Sequence, residues 1–271
     1  MDQREIKSGR LHGRIAIVTG ASSGIGQAIA IAYAQEGAKV VCASRTELSP
    51  DQEISTCDII RRSGGSAFFH STDICSVTSV DTLVQKCVTE HGRLDILVNC
   101  AGVGLEIYDP QPIWTTSFAT WEKTMSVNLT GIFNCCRAAT AQMVNQVPLA
   151  NGSRGWIVNI SSVYGEAAKP GIVSYCSAKH AIIGLTKAAA MDCAPKNIYV
   201  NAICPGLTAT SMTASVLPST PSELSQFRAA QPLKGIGSPM DVARIAVVLG
   251  SDDVSWVTGV SVPVDGGFLC Q

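Results

Sequence analysis

The stretch "RIAIVTGASSGIG" (residues 14–26) decides how the rest of the chain is read. Its first half, "RIAIVTG" (14–20), runs apolar and β-branched at consecutive positions, as does a strand covered on both faces. Its second half sets Gly20, Gly24 and Gly26 at the mouth of a segment of helical period, 24–36. Glycine permits a tight turn and a close approach of backbone to a ligand. The start of a helix offers unpaired N–H groups to a pyrophosphate. The spacing is G-x-x-x-G-x-G rather than G-x-G-x-x-G, and no G-K-[ST] follows, which excludes a Walker-type phosphate loop. Strand, glycine turn and helix at the head of an α/β chain point to a dinucleotide site.

Outward from this turn the same rhythm repeats. Further β-rich runs are "AKVVCAS" (38–44), "SAFFHSTD" (66–73), "LDILVNCAG" (94–102), "GWIVNISS" (155–162), "IYVNAICPG" (198–206) and "VSVPVDGG" (260–267). Helical period falls between them at 50–62, 78–91, 120–144, 174–193 and 239–250. The helix at 50–62 carries a start signal in Ser49-Pro50-Asp51-Gln52, with a capping Ser, Pro at the first position and Gln at the third. Strict alternation predicts an α/β fold: a doubly wound, Rossmann-type parallel sheet of about seven strands, helices on both faces. No linker or repeat marks a boundary, so one domain is expected over 1–271. Two long connections break the rhythm, 103–119 and the Ser-, Thr- and Pro-rich 207–238. Both leave the carboxyl ends of strands, where ligands bind in such sheets, and the second is expected to be a substrate lid. The stretch 145–155 enters a strand from the other end and is read as a surface insertion without chemistry.

Composition narrows the partners. The net charge is −1, with Lys and Arg scattered, which argues against nucleic acid or an anionic membrane surface. The start "MDQREIKSGR" is charged and lacks a signal-peptide core, and no run approaches the roughly 18 apolar residues of a membrane span. Eleven cysteines show no C-x-x-C pair of metal spacing; they read as small buried thiols in a reducing, cytoplasmic setting, with no metal site.

Two further features carry chemistry. An acidic residue commonly follows such a glycine turn by about 20 positions, at the end of the second strand, to hold the ribose 2′-OH. Here that place reads Ala43-Ser44-Arg45, with Glu47 beyond it in the loop. A guanidinium fork suits a phosphate, so NADP(H) is expected over NAD(H). In "SYCSAKH" (174–180), Tyr175 and Lys179 stand four residues apart, on one face of a helix. A phenol, with an ordinary pKa of about 10, is expected to become a better proton donor beside an ammonium.

With these landmarks in register, the chain resembles the single-domain form of the short-chain dehydrogenase/reductase family over about residues 12–268. The motifs are "TGASSGIG", "STDI", "LVNCAG", "VNLTG", "NISSVYG", "YCSAK", "NAICPG" and "VDGG". The resemblance implies catalytic roles for Asn128, Ser162, Tyr175 and Lys179. Tyr175 would be the proton donor, Lys179 its partner on the nicotinamide ribose, Ser162 the holder of the substrate carbonyl, and Asn128 the group that positions a water near the lysine; Ser161 would be a structural neighbour. For the cofactor it implies Gly20, Ser22, Ser23, Gly24, Ile25 and Gly26 around the pyrophosphate, with Ser44 and Arg45 at the adenosine end. Asp73 and Ile74 would meet the adenine, and Asn99, Ala101 and Gly102 would lie beside the adenosine ribose. Pro205, Gly206, Thr208 and Thr210 would hold the nicotinamide end. Two positions depart from the family pattern. Cys100 stands where N-N-A-G has its second Asn, which is expected to affect stability rather than catalysis, and Thr208 stands where Ile is common.

The resulting expectation is an NADPH-dependent ketoreductase, or the matching alcohol dehydrogenase, possessing a Tyr acid/base. A non-redox isomerase or dehydratase on the same scaffold, or a cofactor-binding regulatory protein, are the alternatives; the full Asn-Ser-Tyr-Lys set speaks against the last. The apolar residues Leu207, Met212, Leu217 and Phe227, with Tyr108, Trp114, Val163 and Tyr164, suit a mid-sized apolar ketone or cyclic carbonyl of specialised metabolism, or the packing of lid and subunits. No Arg or Lys cluster in 207–238 calls for a phosphorylated or carrier-linked substrate. The resemblance also implies a homo-oligomer, dimer or tetramer.

Overall fold

The computed structural model describes residues 9–50 and 52–271. The charged start and Asp51 of the expected helix signal therefore lie, wholly or in large part, outside the described residues. Seven strands form one parallel sheet: β1 (Ile15–Thr19), β2 (Lys39–Ser44), β3 (Ser66–Ser71), β4 (Ile96–Asn99), β5 (Gly155–Ile160), β6 (Ile198–Pro205) and β7 (Ser261–Val264). Their order is β3-β2-β1-β4-β5-β6-β7. The chain thus builds outward from β1 through β3, then returns to lay β4 on the other side of β1. At that reversal the connections leaving β1 and β4 diverge and open a crevice.

The continuous apolar runs are explained by where alternate side chains go. Ala16 and Val18 of β1 point into one core with Val40, Cys42, Ile96, Val98 and Val158. Ile15 and Ile17 point into the other with Val41, Leu97, Ile157 and Val200. Helices α1 (Gly24–Gln35), α2 (Thr56–Arg62) and α9 (Pro239–Leu249) cover the first face through residues such as Ile29, Ile60 and Val242. Helices α3 (Val77–His91), α6 (Ile132–Asn145) and α7 (Val173–Cys193) cover the second through Leu83, Ile132 and Ile182.

Three local expectations are corrected. The start signal at Ser49 does not begin α2. The Gln52 N–H donates to the Ser49 carbonyl at 3.0 Å in a tight turn. The helix begins six residues later than that signal, where Ser55 Oγ accepts the Asp58 N–H at 3.1 Å. The expected helix 120–144 is two helices, α5 (Phe118–Met125) and α6, joined through a π-helical turn at Ser126–Gly131. Such wide turns concentrate at functional positions, and this one carries Asn128. The segment 207–238 is not irregular throughout. It holds α8 (Pro221–Ala230), started by a reciprocal cap between Thr220 and Glu223 with Pro at the first turn. The motif Thr-Pro-Ser-Glu is a capping box legible in the sequence. The connection after β4 likewise contains a short helix, α4 (Leu105–Tyr108).

Candidate active site

A cavity of about 360 Å³ lies over the carboxyl ends of the strands at the β1/β4 crevice. Its floor is the glycine turn, where Gly20 has φ +67° and a Cβ would press on the Ala101 backbone at 2.8 Å. The turn and the segment that follows β4 are therefore in backbone contact, and only glycine fits. At the head of α1, Ser23 makes no side-chain cap and no acid stands in the first turn. The Ser22 N–H meets Ser44 Oγ at 3.2 Å. A helix start left open, with Gly24, Ile25 and Gly26 on the cavity wall, is a ready seat for an anion.

Most residues singled out in the sequence meet at this cavity. Ser22, Ser23, Ser44 and Arg45 line it beside the glycines, Asp73 and Ile74 line it after β3, and Ala101 and Gly102 after β4. Ser162, Tyr175 and Lys179 stand toward its other end with Pro205, Gly206, Thr208 and Thr210. The Arg45 guanidinium is exposed, and among the described residues no carboxylate pairs with it, Glu47 included. An open cationic fork next to an open helix start fits an anionic dinucleotide.

Two of the expected residues do otherwise. Asn99 is fully buried and does not line the cavity; its amide donates to Asn159 Oδ1 at 2.8 Å, inside the layer between β4, β5 and α6. Its side chain faces the α6 side of the sheet, toward Cys136 and Asn159, while Cys100 takes the wall place beside it. Asn128 is also fully buried, and its side chain is spent on one residue: Nδ2 donates to the Val103 carbonyl and Oδ1 accepts the Val103 N–H, both at 2.8 Å. It splints the chain leaving β4, and any hold it has on a water falls to its main chain.

Tyr175 and Lys179 sit one turn apart on α7, as their spacing requires. The Lys179 ammonium lies 5.5 Å from the centre of the Tyr175 ring and donates to the Ile160 carbonyl at 2.9 Å. Burial pushes its pKa down to about 8, with the Cys100 and Cys204 thiols pulling the other way. For Tyr175 the expected lowering does not occur in the chain alone. Burial pushes the phenol up to about 12, while the nearby Ser162 hydroxyl pulls it down. Desolvating the phenolate outweighs the neighbouring ammonium, which is itself held to a carbonyl. Ser162, buried, also accepts the Tyr164 N–H at 3.2 Å, and Ser161 Oγ donates to the Lys179 carbonyl at 2.8 Å. The end of β5 is thus stitched to α7.

Two residues that position the site, Glu106 and Thr19, were not singled out in the sequence. Glu106 of α4 is buried, and its carboxylate accepts the Ser174 N–H at 3.2 Å, the Ser174 hydroxyl at 2.9 Å and the Tyr175 N–H at 2.8 Å. The residue before α7, Ile172, offers no side-chain cap, so Glu106 supplies one from 68 positions away. Nothing local in the sequence announces this. Thr19, inside the quoted stretch, accepts the N–H groups of Cys100 and Ala101 at 3.0 and 3.2 Å.

A second cavity, of about 270 Å³, adjoins the first, and Ser162, Tyr175, Pro205 and Gly206 belong to both walls. Its lining is chiefly apolar, with Val163, Ile172, Leu207, Val216, Phe227 and Phe268. Tyr108 and Trp114, expected in such a pocket, are instead exposed and outside it. The first cavity can take a long anionic cofactor and the second a small apolar molecule, with one hydroxyl pair between them.

The sequence pattern of the enoyl-(acyl carrier protein) reductase family matches residues 20–269. The chain is 35% identical to the short-chain dehydrogenase anuF of Penicillium roqueforti, over 95% of this chain and 96% of that protein. It is also 35% identical to the 3-oxoacyl-[acyl-carrier-protein] reductase FabG of Thermotoga maritima, over 96% and 99%. Among solved structures, a candidate 2-deoxy-D-gluconate 3-dehydrogenase from Agrobacterium tumefaciens with bound NADP superposes at a TM-score of 0.83 and 35% identity, over 98% of this chain and all of that one. Among the described residues no helix is long and apolar enough to cross a membrane. With the glycine turn, the sheet order and these relatives in agreement, the chain belongs to the short-chain dehydrogenase/reductase family, whose members carry out nicotinamide-dependent oxidoreduction on small molecules.

Proposed function

We propose that this protein interconverts a ketone and its secondary alcohol using NADP(H), with Tyr175 as acid/base. The observation that carries this reading is the shared wall. Ser162 and Tyr175, whose hydroxyls lie near each other, line both the long cavity with the open helix start and the small apolar one. Gly20, Ser22, Ser23, Gly24, Ile25 and Gly26 would hold the pyrophosphate. Arg45 would take the 2′-phosphate. Lys179, Pro205, Gly206, Thr208 and Thr210 would hold the nicotinamide end. The bound cofactor would supply or accept hydride. NADP(H) is supported by Arg45 and by the NADP-bound structural relative.

The chain's own residues handle the oxygen. Ser162 donates a hydrogen bond to the carbonyl and strengthens it as negative charge develops. Tyr175, pushed up to about 12, is fully protonated at neutral pH and so stands ready as a donor in the reducing direction. Lys179 places positive charge 5.5 Å from the ring, where it stabilises the phenolate left behind. The apolar lining of the second cavity favours a ketone with a hydrophobic body.

The test is a panel of ketones and alcohols with NADPH and NADH in parallel, followed at the nicotinamide absorbance. Stoichiometric oxidation of NADPH with ketones is expected. Turnover without any change at that band would replace this reading with a non-redox reaction on the same scaffold, and equal use of NADH would remove the cofactor assignment.

A further inference from the structure

We propose that Lys169 and Tyr164 form a second recognition point in the substrate cavity, one that takes an acidic oxygen, so that the substrate is a keto acid whose ketone and carboxylate are joined by an apolar body. This rests on Ser162 and Tyr175 being the place where the ketone reacts.

The inference comes from accounting for every polar side chain on the cavity wall. Glu106 spends its carboxylate on the start of α7. Gln231 accepts the Leu207 N–H at 2.8 Å and donates to the Gly235 carbonyl, which closes the base of the 207–238 segment. Thr213 Oγ1 donates to the Thr208 carbonyl at 2.6 Å. Ser162 Oγ accepts the Tyr164 N–H at 3.2 Å, and it and the Tyr175 phenol are the pair assigned to the ketone oxygen. Two groups remain. The ammonium of Lys169 and the hydroxyl of Tyr164 have neither a hydrogen bond nor an ion pair among the described residues, and both residues line the cavity.

Tyr164 is half-buried and held by its neighbours, whereas Lys169 is exposed where it lines the cavity, on a segment whose backbone is tied down. The Tyr164 ring stands edge-on to Phe268, with centroids 6.0 Å apart and planes at 83°. Burial raises its pKa, so it is a hydroxyl donor, not an anion. Lys169 is followed by Pro170 and by Gly171, whose carbonyl accepts the Gln111 N–H at 3.0 Å, so the segment bearing the lysine is tied to the connection after β4. It is the one cation on this wall among the described residues. The acid nearest in sequence, Glu166, is occupied by the Ser261 hydroxyl. A solvent-facing ammonium without a carboxylate partner and a phenol donor, beside a wall otherwise chiefly apolar, suit the acidic end of a ligand whose apolar body fills the cavity.

The experiment compares aryl and alicyclic keto acids with their methyl esters, each pair sharing one ketone, in the NADPH assay with the intact protein. We expect kcat/KM for the acid to exceed that for its ester by about tenfold in at least one pair, a charge-assisted hydrogen bond's worth. In Lys169→Met the preference should fall to near parity, mainly through KM. Lys169→Arg should retain it, and Tyr164→Phe should reduce it a few-fold. Esters turned over as well as acids in every pair would overturn the inference while leaving the ketone-reductase reading standing, as would a Lys169→Met protein that keeps the preference. If no ketone, acid or ester, is consumed, both readings fall together.

Discussion

The Glu106 carboxylate accepts the backbone N–H of Tyr175 at 2.8 Å, so the residue that anchors the first turn of α7 also fixes the backbone of the proposed proton donor. Its other oxygen takes both donors of Ser174. Replacing Glu106 with Ala leaves buried N–H groups without acceptors, which costs about 1–3 kcal/mol. Urea unfolding of Glu106→Ala should show that loss. Glu106→Gln, which keeps one carbonyl but turns an amide donor toward a donor, should fall between. Because Tyr175 shifts with its helix turn, kcat should drop more than cofactor affinity does.

Removing the phenol oxygen tests the chemistry directly. Tyr175→Phe keeps the ring, which packs near Lys179, and deletes the acid/base group. Turnover should fall by about 10²–10⁴-fold, with NADPH binding, measured by fluorescence titration, nearly retained. A variant with near-full turnover would remove Tyr175 from the reaction.

Arg45 reports on the cofactor. Its guanidinium has no carboxylate partner among the described residues, so its replacement disturbs no ion pair. Arg45→Ala should weaken NADPH binding by about 1.5–3 kcal/mol, the range for a hydrogen bond to a charged group. NADH binding should change little. The measurement is the ratio of the two dissociation constants in each protein.

Lys179 makes stability depend on pH with a definite sign. Its pKa is about 8 in the folded chain against 10.5 for a free lysine. Between those values the unfolded chain binds more protons, so the lysine's contribution to stability rises with pH. Below about 8 its buried charge is a full penalty; above that the neutral amine relieves it. The relief is on the order of 1–3 kcal/mol. Thiols such as Cys87 and Cys100, pushed up to about 12, work in the opposite direction above 9. The difference between the native protein and Lys179→Met, followed by urea unfolding from pH 7.5 to 10, isolates the lysine. A flat difference across that range would mean that Lys179 keeps its ordinary pKa.

The fold was legible because its signals are local. Strand runs of four to eight residues, a glycine turn at fixed spacing and an i, i+4 pair each depend on neighbours within a turn or two. Where local signals competed, reading was harder. Ser49-Pro50-Asp51-Gln52 and Ser55-Thr56-Cys57-Asp58 both resemble helix starts, and the second holds because Cys57 and Ile60 are drawn into the core against α1. The residues meeting at the cavity followed from motifs, but the use of Asn99 and Asn128 did not. An amide's partners depend on which backbone lies opposite, and for Asn128 that is Val103, 25 positions away.

Taken alone, the order of residues settled a parallel sheet with its ligand crevice beside the first strand, and a phenol and an ammonium on one helix face. Only folding in three dimensions decided that Glu106 would cap that helix from another segment. It also decided that burial would push Tyr175 up rather than down, and that two cavities would share the wall at Ser162 and Tyr175. The division has a physical cause. Backbone preferences and periodicity act over a few residues, whereas desolvation, capping across segments and cavity walls exist only once distant stretches have packed and excluded water.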